Sequence, residues 1–287
     1  MQQYIIYNGN FFSANEGIIT PSNRAFLYGD GLFESMFASG GVIPFLDYHV
    51  QRLNHGMEKL EMQDGQKKIN SENIAYQTGR LLRKNRNFKG VRVRLVVFRN
   101  EGGLYTPETN AVSYLITAEE LPNQYFILNK KGFMVDIYTN GRKNSGPLAG
   151  LKSTNALLYV MAGNFRKKRN LDECLLLNQN HYLCEGQSSN IFIIKKDVLY
   201  TPPLQDGCVQ GVMRSIVIDL AKKIRLKVAD KISLDANLLQ EADEVFLTNA
   251  VNGIRWVVAY RNKRYYHKIA VNLMQKLNEI AFPDVYI

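Results

Sequence analysis

The sequence predicts an α+β protein built from two domains. Its 287 residues fall where a single hydrophobic core stops growing, roughly 250–300 residues. Strand-like and helix-like stretches occur in both halves without the regular alternation of a doubly wound sheet. A polar, proline-bearing stretch, Glu119 to Gln124, follows a strand near the middle. The boundary is therefore expected near residue 120, with a smaller domain over 1–120 and a larger one over 121–287.

The chain opens on alternating residues, Tyr4 to Tyr7, then Asn8-Gly9-Asn10, then Phe11-Phe12. That pattern reads as a hairpin. Helical spacing follows over His49–Leu60, with Leu53, Met57 and Leu60 on one face, and over Ser71–Asn85, with Ile74, Leu81 and Leu82 on another. Strands are expected at Val91–Phe98 and Ala111–Thr117. In the second half strands are expected at Phe133–Tyr138, Glu173–Leu177, Ile191–Ile194, Glu244–Thr248 and Arg255–Val258. Helices are expected at Ala156–Lys168, Val212–Ile224 and Ile269–Ile280.

Apolar residues are 46% and charged residues 22% of the chain, ordinary values for a globular protein. No apolar run reaches the length of a membrane span and the first residues do not read as a leader, so a cytoplasmic protein with no membrane partner is expected. Cys174, Cys184 and Cys208 lie far apart, and the four histidines, at 49, 55, 181 and 267, form no close pair. No disulfide framework and no metal site is expected. The net charge of +10 is scattered. Its densest runs, Arg166 to Arg169 and Arg261 to Arg264, lack interleaved aromatic residues, so they read as solvated faces and not as a nucleic-acid surface. A positive field still favours anionic small molecules.

Four short segments carry the chemistry: HVQRL with Arg52, GPLAGLKSTN with Lys152, CEGQSSNIF with Glu185, and CVQGVMR. Taken singly each has an ordinary reading. Lys152 at a loop-to-helix junction could be a surface lysine, Arg52 a helix-surface arginine, and Glu185 a turn glutamate.

Together with LYGDGLFESM at 27–36, and in this order along nearly the whole chain, the segments resemble the fold-type IV pyridoxal-phosphate enzymes. Those are the branched-chain and D-amino acid transaminases and the aminodeoxychorismate lyases. The resemblance implies a smaller N-terminal α/β sandwich-like domain and a larger C-terminal domain with a barrel-like sheet. It further implies pyridoxal 5'-phosphate as cofactor, held between the domains, a small amino or keto carboxylate as substrate, and a homodimer.

Under that resemblance Lys152 carries the cofactor as a Schiff base and moves the substrate proton, a task for a neutral amine. Glu185 faces the ring nitrogen and keeps it protonated, so that the ring draws in electrons. Arg52 contacts the phosphate. Backbone N–H groups of Val212 and Met213, at the start of a helix behind Gly211, serve the same anion. A second contact comes from the turn Thr248-Asn249-Ala250. Arg94, in VRVRL, matches the arginine of a family tyrosine-x-arginine motif whose tyrosine is Arg92 here, and it is expected to bind the substrate carboxylate. Tyr28 and Glu34 are expected to reach the substrate.

The reaction is less marked. KSTN has the K-x-x-N spacing of lyases and D-amino acid transaminases, which leaves the cofactor hydroxyl without its branched-chain tyrosine, Leu157 lying nearby. FRNEGGLY at 98–105 resembles a lyase loop, and VQGVMR and TNAV look closer to the lyases. The motifs lean to an aminodeoxychorismate lyase, which releases pyruvate and forms 4-aminobenzoate, with a branched-chain or other transaminase as the alternative. A non-catalytic binding relative is a remote third, disfavoured by the joint presence of Lys152, Glu185 and Arg52.

Overall fold

The structure is a computed structural model, and it describes residues 3–65 and 69–283. The chain divides into two compact units. The first takes Met1–Tyr125 and Lys152–Asn155; the second takes Phe126–Leu151 and Ala156–Ile287.

In the first unit, β1 (Tyr4–Tyr7) and β2 (Asn10–Ser13) pair antiparallel across a two-residue turn. Asn8 (φ 48°) and Gly9 (φ 86°) are both left-handed, the conformation that an Asn-Gly hairpin turn requires. A short helix α1 (Arg24–Tyr28) precedes β3 (Gly31–Ala38), and β4 (Val91–Arg99) and β5 (Val112–Glu120) complete a five-stranded sheet of order β2-β1-β5-β4-β3. Helices α2 (Leu46–Lys59) and α3 (Ser71–Asn85) bury Leu53, Met57, Ile74, Leu81 and Leu82 of the expected stripes, while Leu60 falls just past α2 as its C-cap and is half-buried.

The sequence reading anticipates neither α1 nor the short strands and helix of the second unit, and the first unit departs from it in further ways. β3 is new; a glutamate on its buried face and buried residues at both ends of the opposite face obscure the alternation that would mark it as a strand. β5 runs on through Glu119 and Glu120, because Val91 and Arg92 of β4 pair with them and the Arg92 guanidinium bonds Glu119. The polar stretch read as the start of a boundary is thus partly strand. Finally, residues 152–155 belong with the first unit, because Ser153 bridges Leu32 and the chain zips onto the start of β3.

The second unit centres on ten strands that curl into a half-barrel. They are β6 (Phe133–Ile137), β7 (Glu173–Leu177), β8 (Tyr182–Gly186), β9 (Asn190–Lys195), β10 (Val198–Tyr200), β11 (Lys227–Ala229), β12 (Leu234–Asp235), β13 (Glu244–Asn249), β14 (Gly253–Tyr260) and β15 (Lys263–Arg264). Their order is β11-β10-β9-β13-β14-β6-β7-β8-β12, with β15 on β14. Helices α4 (Leu157–Lys168), α5 (Val212–Lys223), α6 (Leu238–Glu241) and α7 (Lys268–Ala281) accompany the sheet. A core of Val135, Leu175, Ile191, Ile193, Val245, Leu247 and Val257 draws on the strands that also carry the functional residues. Among the described residues no helix is long and apolar enough to cross a membrane.

Candidate active site

In the first unit, Lys152 is placed by backbone pairing. The amide of Phe33 donates to the Lys152 carbonyl at 2.9 Å, and that of Thr154 to the Gly31 carbonyl at 2.9 Å. The Thr154 hydroxyl donates to the Gly29 carbonyl at 2.8 Å. Gly29, the residue that ends α1, takes a left-handed φ of 66° that disfavours any side chain, and a Cβ there would stand 2.4 Å from the Asn155 amide oxygen. The asparagine of KSTN and a glycine of LYGDG are therefore one packed contact. The outcome is that the Lys152 amine lies over the Phe33 ring, 4.4 Å from its centroid.

Arg94 joins it there. Phe33 and Arg94 lie on the same face of the β3–β4 pair, and the Arg94 guanidinium stands 4.1 Å from the same ring centroid. Burial, and then the charge of Arg92, press the Arg94 guanidinium below its ordinary pKa. Both side chains thus contact the ring of Phe33 within the first unit. Arg92, in the place of the family tyrosine, is bound to Glu119 on the exposed strand face.

Glu34 differs from its expected role. It is 1% exposed, and both carboxylate oxygens are occupied inside the unit. Arg52 Nε donates to Oε1 at 2.8 Å and Nη2 to Oε2 at 2.5 Å, while His49 Nδ1 meets Oε2 at 2.6 Å. Burial pushes the His49 imidazole below its ordinary pKa against the pull of Glu34, so it is neutral and donates. Glu34 thus orients the arginine expected at the phosphate. Sequence reasoning missed His49, although its place three residues before Arg52 on one helix face is a usable signal.

Tyr28 ends α1, half-buried, its ring 5.7 Å from that of Tyr105. The loop bearing Tyr105 is held by Arg24, whose Nη1 donates to the carbonyls of Gly102, Gly103 and Leu104. Asp30 Oδ2 takes Nε of both Arg24 and Arg99 at 2.9 Å. The double-glycine segment read as lyase-like is thus a fixed loop beside Tyr28.

In the second unit, β8 carries Glu185, 3% exposed. The Lys143 ammonium bonds Oε1, the Tyr159 hydroxyl donates to Oε1 at 2.7 Å, and the Val209 amide donates to Oε2 at 2.8 Å. Sequence reasoning foresees neither Lys143 nor Tyr159; they lie 42 and 26 residues from their partner. A tyrosine does follow KSTN, two residues beyond Leu157, and it sits on the carboxylate, while Leu157 is 82% exposed. Burial, then the charge of Glu185, raises the Tyr159 hydroxyl pKa, so it stays a neutral donor.

The start of α5 has no side-chain cap and no acidic residue in its first turn, so the N–H groups of Val212 and Met213 face an anion-favouring helix end. Asn190 shapes this turn. Its Nδ2 donates to the Val209 carbonyl at 2.9 Å, and a Cβ on Gly211 would lie 1.9 Å from its Oδ1. Thr248 is the strand partner of Asn190, and its buried hydroxyl has no hydrogen-bond partner among the described residues. The Asn249 side chain holds its own turn, accepting from Val251 and Asn252, with Ala250 at the tip. The turn before α5 and the end of the strand carrying Thr248 therefore both meet Asn190.

Residues 31–260 match the family model described as amino-transferase class IV. A Methanocaldococcus jannaschii protein provisionally named as a branched-chain-amino-acid aminotransferase is 30% identical over 284 residues, covering 98% of this chain and 96% of that one. The aminodeoxychorismate lyase of Bacillus subtilis is 28% identical over 256 residues, 86% of this chain and 83% of its own. The solved branched-chain amino acid aminotransferase of Thermobaculum terrenum in its PLP form superposes with a TM-score of 0.83 at 19% identity, covering 99% of this chain and 96% of that one; this likeness shows the fold.

Proposed function

The chain belongs to the class IV amino-transferase family, and we propose that it moves the amino group of a small amino acid to an α-keto acid, with Arg94 receiving the carboxylate. It is an enzyme of a pyridoxal-phosphate family. The residues present fit that cofactor: an uncapped helix start and an orphaned buried Thr248 hydroxyl suit its phosphate, and a carboxylate suits its ring nitrogen. When bound, pyridoxal phosphate accommodates the electron pair left as the substrate α-proton departs.

This chain's residues supply the rest. The Lys152 amine would hold the cofactor covalently and take up the α-proton. Arg52, aimed by Glu34, the N–H groups of Val212 and Met213, and the Thr248-Asn249-Ala250 turn would hold the phosphate. Glu185 would keep the ring nitrogen protonated. Tyr28, beside the fixed 102–105 loop, would border the substrate. The carrying observation is the shared ring of Phe33, with Lys152 at 4.4 Å and Arg94 at 4.1 Å. A substrate whose carboxylate pairs with Arg94 would carry its amino group in the neighbourhood of the lysine.

Elimination of pyruvate from aminodeoxychorismate is the second reading. The Asn155–Gly29 contact of the K-x-x-N segment and the Arg24-held double-glycine loop favour it, as does the Bacillus subtilis relative. Both readings share every step up to proton removal. A homodimer accompanies either, supported by apolar side chains that α4 and its approach leave exposed, Leu148 at 63%, Leu157 at 82% and Met161 at 53%.

The test is to supply the cofactor-loaded protein with amino acids and a keto acid, and separately with aminodeoxychorismate alone. Keto-acid-dependent amino transfer supports transamination. Pyruvate release with no keto acid present moves the assignment to the lyase.

A further inference from the structure

Lys143 takes no part in the roles above, yet its side chain is only 7% exposed and that of its partner Glu185 4%. A buried ammonium is strongly unfavourable unless a close partner offsets its lost hydration. Here the partner is the carboxylate assigned to the cofactor ring. We propose that Lys143 is a positioning residue that fixes Glu185 in place and, through its own charge, lowers the pH at which the cofactor's ring nitrogen gives up its proton. The inference rests on the pyridoxal-phosphate reading of Glu185.

The two carboxylate oxygens are unequally occupied. Oε1 of Glu185 receives two donors, the Lys143 ammonium and the Tyr159 hydroxyl. Oε2 receives one, the Val209 amide at 2.8 Å. A carboxylate oxygen has room for about two donors, so Oε2 is the oxygen with room for another. Lys143 is itself anchored, its amide donating to the Leu177 carbonyl at 2.9 Å and its own carbonyl accepting from Gln179 at 3.2 Å. Its ammonium also lies over the Tyr159 ring, 5.2 Å from the centroid.

The charge of Lys143 acts through the same carboxylate. A bare buried glutamate would stabilise a protonated ring nitrogen strongly, whereas a glutamate already paired with an ammonium presents a neutral cluster. The other groups facing the cluster do not replace that cation. The Tyr159 hydroxyl and the Cys184 and Cys208 thiols are all pushed up by burial and stay neutral. Asp206 and Arg214 are the remaining charged neighbours, of opposite sign.

The experiment loads the wild type, Lys143→Met, Lys143→Arg and Tyr159→Phe with pyridoxal phosphate carrying nitrogen-15 in its ring, and follows that resonance against pH. Lys143→Met is expected to raise the midpoint by about one unit or more. Lys143→Arg, which keeps the charge, is expected to restore the wild-type midpoint, and Tyr159→Phe to move it less than Lys143→Met. If Lys143→Met does not fold, Lys143→Gln takes its place with the same expectation. Equal midpoints in the wild type and the neutral variant, or an arginine variant that shifts as far as the neutral one, overturn the role of Lys143. A wild-type protein that takes up no pyridoxal phosphate overturns instead the proposed function on which it rests.

Discussion

Arg52 grips Glu34 with two guanidinium nitrogens, Nε on Oε1 at 2.8 Å and Nη2 on Oε2 at 2.5 Å. The pairing is forked and buried, so it fixes the direction of the arginine as well as its charge. Glu34→Gln keeps the shape and loses the anion. It is expected to weaken pyridoxal phosphate binding by about tenfold or more, because the guanidinium is no longer aimed. Titration of cofactor fluorescence reads this directly; unchanged affinity would detach Glu34 and Arg52 from the phosphate.

The same cluster predicts acid sensitivity. Burial alone would raise the Glu34 carboxyl, but the charge of Arg52 and the hydrogen bonds of His49 and Arg52 outweigh it and leave the pKa at about 2. A folded pKa below the unfolded one gives stability above the unfolded value that is lost as pH falls towards about 2. His49 is held neutral, so below its ordinary value of 6.5 the unfolded chain binds a proton that the folded one refuses. His49 therefore makes the protein less stable as pH drops below about 6.5, and Glu34 adds to the loss only below its unfolded value of 4.5. Denaturant melts from about pH 7 to about pH 3 should show a progressive fall, smaller in His49→Gln over the upper part of that range.

Glu185 predicts a difference between two substitutions. Glu185→Gln keeps an oxygen acceptor and should fold and bind cofactor while turning over at least about a hundredfold more slowly, because the ring nitrogen loses its anion. Glu185→Ala also leaves Lys143 buried without a partner, a cost of about 3–5 kcal/mol. The alanine variant should therefore melt well below the glutamine variant, and equal melting temperatures would deny that Lys143 depends on Glu185.

Gly211 sits at φ −66°, so its backbone would tolerate other residues. What forbids them is the Asn190 side chain, 1.9 Å from any Cβ. Gly211→Ala should displace the turn before α5 and weaken cofactor binding. Adding Asn190→Ala to it should recover part of that loss, since the clash is removed, and a double variant no better than the single one would refute the contact.

The two units differ in how openly the sequence declares them. Lys152, Arg52 and Glu185 stand in short motifs whose order is visible along the chain, and the stripes of α2 and α3 follow from simple periodicity. The supporting residues are hidden because their partners are remote: His49 from Glu34 by 15 residues, Asn190 from Val209 by 19, and Lys143 from Glu185 by 42. β3 is hidden because Leu32, Glu34, Met36 and Ala38 are buried on one face while Gly31 and Phe37 are buried on the other, which blurs the period of two, and the buried residues on the first face include a glutamate. Glu34 misleads for a related reason. A glutamate in a functional motif reads as substrate-facing until the structure shows His49 and Arg52 taking both its oxygens.

Lys152 is the residue proposed to carry the cofactor. The decisive experiment incubates the protein with pyridoxal phosphate, reduces it with borohydride and maps the peptides by mass spectrometry. One phosphopyridoxyl group is expected, on the peptide containing Lys152, and none on Lys152→Ala. A label that falls on another lysine, or persists undiminished in Lys152→Ala, would remove Lys152 from that role.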